Sequence, residues 1–413
     1  MDAAHFGARA VCAVGRLMRV ALIDPSLFTL PYDTTLARGL ESAGCDVTLY
    51  GRRQRASDGN PVPVDLVPHF YPFSESSRTR ALPKVLQLSL KGIDHALSML
   101  RLLRTLRESR PAIIHFQWLP LPLLDGVMLG RFRHIAPLVL TVHDTDPFNG
   151  DPTASLQRFG MSRTLESVDR LIVHSRQGYA RLVAQGIPAQ RIAILPHGRL
   201  YSSIQPTADT MDGPITLLLF GKLKRYKGAD LLIDAYAALP SSLRAQARIR
   251  IVGKPYMDLE PLYAQARQRG VADNVSIEPD FVPDDEVDSL FHPGSIAVFP
   301  YREIEASAVL FQAVANGRPI IASRLGAFDD LLRDGAHGRL VPPSDVPALT
   351  AALAELIEHR GIAAACAAEV RRLQETIPRW EEVARNTLAV YEEAGALPMR
   401  KTIFARQTAE LGA

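Results

Sequence analysis

Apolar and polar positions alternate along this chain in two rhythms. MRVALID (18–24) is a short apolar run of strand length. TTLARGLESAG (34–44) repeats apolar positions at helical spacing and closes on Gly44, a helix C-terminal signal. DVTLYG resumes as a strand, and AIIHFQW (112–118), LVLTVHD (138–144), RLIVHS (170–175) and IAILPHG (192–198) are further apolar runs with helical stretches between most of them. Strands that are apolar on both faces belong to parallel sheets covered by helices. Residues 18–200 are therefore expected to form a doubly wound, Rossmann-like α/β domain.

YSSIQPTADTMDGP (201–214) is polar and rich in Pro, Gly, Ser and Thr, the composition of a linker, placed here at 201–213. The alternation then restarts with ITLLLFG (215–221), a helix from Gly228 to Leu239, ARIRIVG (247–253), a helix near 258–269, VSIEP, IAVFPY, a helix from Ser307 to Ala315, PIIAS and GRLVPP. A second Rossmann-like domain is expected over 214–375, and a late helix within 376–395 packing back toward the first. Residues 1–17 read as an N-terminal extension with Met18 as a start, and 396–413 as a frayed tail. Two open parallel sheets in series bind ligands in the cleft between their C-terminal strand ends.

Composition narrows the class. The chain has 413 residues, 47% apolar and 22% charged, enough for two cores. Its apolar runs, ITLLLF among them, fall far short of the roughly 20 residues that span a bilayer. Cys12, Cys45 and Cys366 are scattered without a CxxC pair, which excludes a disulfide framework and fits a reducing cytoplasm. The apolar start is broken by Gly15 and Arg16, unlike a signal peptide. Net charge is +3, but residues 1–200 hold 24 Lys and Arg against 16 Asp and Glu, and the remainder 23 against 28. A basic front half suits an anionic surface such as a membrane leaflet, and ordinary variation between domains fits equally. ALPKVLQLSLKGIDHALSMLRLLRTLRESRP (81–111) carries Leu86, Leu90, Ile93, Leu97 and Leu100 at steps of three and four, with Lys84, Lys91, Arg101, Arg104 and Arg107 making it basic. A membrane-surface helix and a core-packing helix with a solvated basic face both fit; the core-packing helix is the expectation.

The chemistry concentrates after strands. In LLLFGKLKRYKGADLLIDAY, Gly221 ends a strand, Lys222 and Lys227 bracket a basic loop, and a helix begins near Gly228. Two ammonium groups at a helix N-terminus suit a diphosphate. In IEASAVLFQAVANGRPIIAS (304–323), the small residues before the helix let the N–H groups of Ser307, Ala308, Val309 and Leu310 approach an anion, with Ser307 expected as the cap. A plain capped helix on a buried strand reads equally well. Asp144 and Asp146 in HDTDPFNGD could hold a divalent cation, but the basic loop already neutralises a diphosphate, so no metal is expected. The triads, HExxH, Walker A, zinc and GxGxxG patterns are absent from the sequence.

Together GKLKRYKG, VGKP (Gly253, Lys254), EPDFVPDDEV (with Val282), LTVHD, LPHG and DGAHGRLVPPSDVPAL resemble the GT-B fold, family-4 retaining glycosyltransferases over most of residues 18–395. The resemblance implies a nucleotide-sugar donor in the second domain, gripped by Lys222 and Lys227, with His143 near the reacting centre. It implies donor contacts at Gly221, Gly253, Lys254, Val282, Ser307, Ala308, Val309, Leu310 and Gln312. Asp144, Asp146, Asn149 and His197 fall on the acceptor side. No cofactor beyond the donor is implied; the acceptor would be a glycan or lipid-linked sugar, with a peripheral membrane contact and no nucleic acid. The family's two glutamates fall at Ile304 and Gln312, so neither carboxylate is present. The expected activity is metal-independent hexosyl transfer with retention, in cell-envelope or exopolysaccharide assembly. An epimerase or sugar-phosphate synthase of the same fold, or a non-catalytic nucleotide-sugar-binding subunit, remains the alternative.

Overall fold

The computed structural model describes residues 17–396, except 56–57, 59–60, 77–78, 80–82, 146–153, 203–212, 284 and 305–306. The expected extension up to residue 16, the centre of the linker, the tail from 397, and Asp146 and Asn149 lie outside the described residues.

Two parallel sheets carry the chain. The first contains β1 (Met18–Asp24), β2 (Cys45–Arg52), β3 (Leu66–Phe70), β4 (Ile113–Phe116), β5 (Leu138–Val142), β6 (Arg170–Val173) and β7 (Ile192–Ile194), in the order β3-β2-β1-β4-β5-β6-β7. The second contains β8 (Ile215–Phe220), β9 (Ala247–Val252), β10 (Val275–Glu278), β11 (Ser295–Phe299), β12 (Ile320–Ser323) and β13 (Gly338–Val341), in the order β10-β9-β8-β11-β12-β13. Strand order reverses between β1 and β4 and between β8 and β11. A crevice opens at each reversal, above the carboxyl ends of the strands. The loops after β1, β4, β8 and β11 therefore line the two halves of a cleft.

The expected strands form where the apolar runs lie, because β1, β4, β5, β8 and β11 are buried on both faces under helices. β3 is an element the apolar pattern does not announce. Pro68 and His69 interrupt its run, and it stands at the sheet edge, where a missing N–H is tolerated. The helix Trp380–Ala396 closes the first domain: Trp380, Val383, Val390 and Tyr391 share a core with Leu36 and Leu40 and with Val20, Leu22, Val139 and Ile172 of the sheet. Gly198 allows that crossing, since a Cβ there would lie 2.5 Å from Trp380 Cε2.

The long helix Lys84–Ser109 corrects an expectation. Met99, Leu102, Leu103 and Leu106 fill the core beneath it. The stripe assigned to the core faces outward instead: Leu86, Ile93, Leu97 and Leu100 are 46–59% exposed. The helix carries two apolar faces. Met99, Leu102, Leu103 and Leu106 lie on the inward face with the fully buried His95, and the regular leucine and isoleucine stripe lies on the other and is left to solvent.

Candidate active site

The donor half is built on backbone proximity. Gly221 (φ +109°) follows β8 and Gly253 (φ +139°) follows β9. A Cβ on Gly253 would lie 2.2 Å from the Gly221 carbonyl oxygen, and one on Gly221 would lie 2.7 Å from Lys227 Nζ. Only glycine lets the two loops and the lysine converge. Leu223 N–H donates to the Lys254 carbonyl at 2.9 Å, pinning the basic loop. A short 3₁₀ turn, Arg225–Lys227, ends at Gly228 and turns Lys227 inward, where it is 4% exposed. Its ammonium donates to the Phe220 carbonyl (3.0 Å) and the Tyr301 hydroxyl (2.9 Å), both uncharged. Burial, then repulsion from Lys222 and Lys224, pulls this ammonium down to about 7.

The helix Ala308–Ala315 begins beside this lysine, with Val309 Cγ2 packed close over Gly221. Two expectations fail here. Ser307 occupies the cap position but makes no side-chain cap bond. Its side chain faces the Tyr301 phenol instead, whose hydroxyl Lys227 reaches from the other side. Leu310 is a core residue, not a donor contact: its side chain is fully buried and its N–H is committed to the Ser307 carbonyl at 3.1 Å. Ala308 is exposed at the helix start. Gln312 is half-buried, and its Oε1 is shielded from solvent without a hydrogen-bond partner among the described residues. Val282 packs on the second domain's core with Phe291.

Lys222 points the other way. Its ammonium crosses the cleft and sits 4.7 Å above the ring of Phe28, in the loop after β1. Phe28 in turn stacks on Trp118, after β4, at 4.6 Å. Burial, then Lys224 and Lys254, lower the Lys222 ammonium as well. One of the two expected diphosphate lysines is thus held by the first domain.

The acceptor half is built on histidines. Val142 of β5 and Val173 of β6 are register partners, so the next residues, His143 and His174, emerge side by side. His143 Nδ1 lies 3.0 Å from His174 Nε2, and His143 Nε2 lies 3.1 Å from Gln117 Oε1. His174 Nδ1 donates to the Leu195 carbonyl at 2.9 Å. His115, behind Gln117, contacts Tyr391 of the C-terminal helix at 2.7 Å and Thr141 at 2.8 Å. Burial holds His115 down to about 3 and His143 well below its ordinary value. His197, expected on the acceptor side, is a junction residue: it stacks on Phe311 of the donor-side helix at 4.5 Å and meets Tyr32 and Trp380 edge-on. Asp144 lies at the cleft, where it and Glu303 act with burial to push the Tyr226 phenol up to about 12. Among the described residues no group of three His, Cys, Asp or Glu side chains gathers as a metal site requires.

Residues 31–198 match the Glycosyl transferase 4-like domain, and residues 214–359 match Glycosyl transferases group 1. The chain belongs to the GT-B, family-4-like glycosyltransferases. The chain is 26% identical over 300 residues to a D-inositol 3-phosphate glycosyltransferase of Acidothermus cellulolyticus, covering 66% of this chain and 65% of that one. It spans less than two thirds of that relative's length. It is 31% identical over 169 residues to an MMP alpha-(1->4)-mannosyltransferase of Mycolicibacterium hassiacum, covering 41% and 40%. In fold it is similar to Anabaena HepE, solved with UDP and glucose (TM-score 0.70, 17% identity, 91% of this chain and 100% of that one). It is similar as well to the sucrose-phosphate synthase of Thermosynechococcus elongatus (TM-score 0.71, 20% identity, 92% and 99%).

In this chain the two facing strand-end regions hold Lys227, Gly221, Gly253, Gln312 and the start of the 308–315 helix on one side, and His143 and Asp144 on the other. Phe28, Trp118, Gln117, His174 and Tyr301 were missed from the sequence. His174 had a readable signal: LTVHD and RLIVHS both end a strand in Val-His. The others lie in loops whose placement depends on the strand order.

Proposed function

We propose that the protein transfers a sugar from a nucleotide-diphosphate sugar to an acceptor hydroxyl with retention, in cell-envelope or exopolysaccharide assembly. The buried Lys227 ammonium carries this reading. Its contacts at Phe220 and Tyr301 are uncharged, and its neighbours Lys222 and Lys224 repel it. A diphosphate supplies the missing counter-charge at the glycine-lined strand end. As the sugar–phosphate bond breaks, charge grows on the leaving diphosphate. Lys227, Lys222 swung back from Phe28, and the N–H groups at the start of the 308–315 helix stabilise it. The acceptor attacks on the face the diphosphate leaves, and a phosphate oxygen takes its proton, so no protein nucleophile is needed. Gln312 Oε1, buried without a partner, supports a ribose hydroxyl as its ligand. HepE was solved with UDP and glucose, which makes uridine donors the first to test.

The outward stripe of Leu86, Ile93, Leu97 and Leu100, followed on the same helix by exposed Arg104 and Arg107, supports peripheral contact with an anionic lipid surface and a lipid-linked acceptor at the cytoplasmic face. Among the described residues no helix is long and apolar enough to cross a membrane.

Thermal shift with UDP- and GDP-sugars, followed by turnover with and without acceptor sugars, tests the reading. Transfer that needs an acceptor and vanishes in Lys227→Ala is expected. Product formed from donor alone indicates an epimerase, and binding without turnover across acceptors indicates a non-catalytic subunit. For the surface, co-sedimentation with phosphatidylglycerol vesicles is expected to fall in Ile93→Glu/Leu97→Glu; equal sedimentation of both proteins refutes the lipid contact.

A further inference from the structure

The chain of contacts behind His143 has one end that fixes its hydrogens. The Leu195 carbonyl has none to give, so His174 Nδ1, 2.9 Å away, carries one. A neutral His174 then presents only a lone pair at Nε2. His143 Nδ1 stands 3.0 Å from that lone pair and must supply the hydrogen between them. A neutral His143 is left with a bare Nε2. Both rings are uncharged near neutrality, since burial lowers each, and the imidazoles of His174, His197 and His115 lower His143 further. Gln117 faces that bare nitrogen with its carboxamide oxygen at 3.1 Å, acceptor against acceptor. A half-turn of the carboxamide satisfies His143 Nε2 when the cleft is empty, and a ligand hydroxyl satisfies it when the cleft is full.

We infer that His174 is a positioning residue that holds His143 as its Nδ1–H tautomer, so that His143 meets a sugar in the cleft as a hydrogen-bond acceptor and not as a donor. The sugar half of this rests on the transferase reading; the tautomer half does not. The device follows from strand register. Val142 and Val173 are paired, so the two imidazoles are neighbours on adjacent strands, and the chain rising toward Leu195 after β7 supplies the carbonyl. A sugar hydroxyl can donate to the bare nitrogen, whereas a group that only accepts, such as a carboxylate, meets lone pair with lone pair.

The test is long-range ¹H–¹⁵N spectroscopy of the full chain labelled with ¹⁵N-histidine, with His143 and His174 assigned by loss of their signals in His143→Gln and His174→Phe. The expected wild-type spectrum at pH 7.5 shows His143 protonated at Nδ1 and bare at Nε2. In His174→Phe that preference is lost, and kcat/KM for donor falls about tenfold, in line with one lost buried hydrogen bond. UDP affinity stays within about twofold, because UDP carries no sugar to lose that bond. His174→Gln, whose carboxamide oxygen accepts from His143 while its NH₂ can donate onward, restores the tautomer and most of the turnover. A wild-type His143 protonated at Nε2, or an unchanged tautomer in His174→Phe, overturns the inference. Failure of the wild-type protein to bind UDP would remove the transferase reading, and the spectra would still decide the tautomer.

Discussion

Replacing Lys227 by methionine separates what this residue does for binding from what it costs the fold. In the unfolded chain a lysine titrates at its ordinary 10.5, and in the folded protein Lys227 is pulled down to about 7. Between those values the unfolded chain holds a proton that the folded chain has released, so stability rises with pH across that window. Below pH 7 both states are protonated and the burial cost is complete. At 1.36 kcal/mol per pH unit, the gap corresponds to about 5 kcal/mol against the fold. Methionine has a similar unbranched length without the charge. It gives up the hydrogen bonds to the Phe220 carbonyl and Tyr301 hydroxyl, together about 2 kcal/mol. Lys227→Met is therefore expected to be more stable than the parent by about 3 kcal/mol at pH 6.5, with the advantage shrinking by about 2–3 kcal/mol by pH 9. Urea denaturation of both proteins at the two pH values measures this. UDP titration supplies the other half: parental affinity falls by up to about tenfold per pH unit above pH 7, as binding must recharge the amine, and the variant binds weakly at every pH. A variant less stable than the parent at pH 6.5, or a stability difference independent of pH, refutes the reasoning.

Three further outcomes follow from the same geometry. Phe28→Leu removes the ring beneath Lys222, a contact worth about 0.5–2 kcal/mol, so UDP is expected to bind several-fold more tightly by calorimetry; unchanged or weaker binding shows that Lys222 is not withheld. Gln312→Ala is expected to weaken UDP binding while Gln312→Glu tolerates it; equal affinity in the alanine variant ends the ribose role of residue 312. Gly198→Ala drives a methyl into Trp380, 2.5 Å away, and is expected to cost about 1–3 kcal/mol in denaturation; an unchanged midpoint shows that the crossing can relax.

The parts of the fold legible in sequence were those where one signal acts alone. Strands buried on both faces wrote continuous apolar runs, and the glycines at 221 and 253 marked strand ends that tolerate no side chain. β3 was hidden because Pro68, harmless at an edge, reads as a breaker when the edge is unknown. The Lys84–Ser109 helix misled for the opposite reason. Its stripe was real, but periodicity reports that an apolar face exists and not which way it turns. At the site, residue types were readable and directions were not. Lys222 and Lys227 look equivalent in GKLKRYKG. A 3₁₀ turn buries Lys227 on uncharged partners and leaves Lys222 to reach across the cleft.

The absent carboxylates at 304 and 312 then read as one half of an exchange. The charges acting on Lys227 are those of Lys222 and Lys224, both of its own sign. A glutamate at 312 would give up part of the pull on a diphosphate and gain a stronger hold on a ribose hydroxyl, so the two changes offset. With isoleucine and glutamine in those places, no carboxylate offsets the mutual repulsion of Lys222, Lys224 and Lys227, and a dianion relieves it on arrival. The loss falls on the ribose contact. A carboxylate accepts a hydroxyl with about 1.5–3 kcal/mol and a carboxamide with about 0.5–1.5 kcal/mol. Such a site draws its donor affinity more from the diphosphate than from the ribose. Inorganic pyrophosphate should therefore compete with UDP nearly as well as uridine monophosphate does. Competition by uridine monophosphate alone would return the weight to the nucleoside and undo this account of the substitutions.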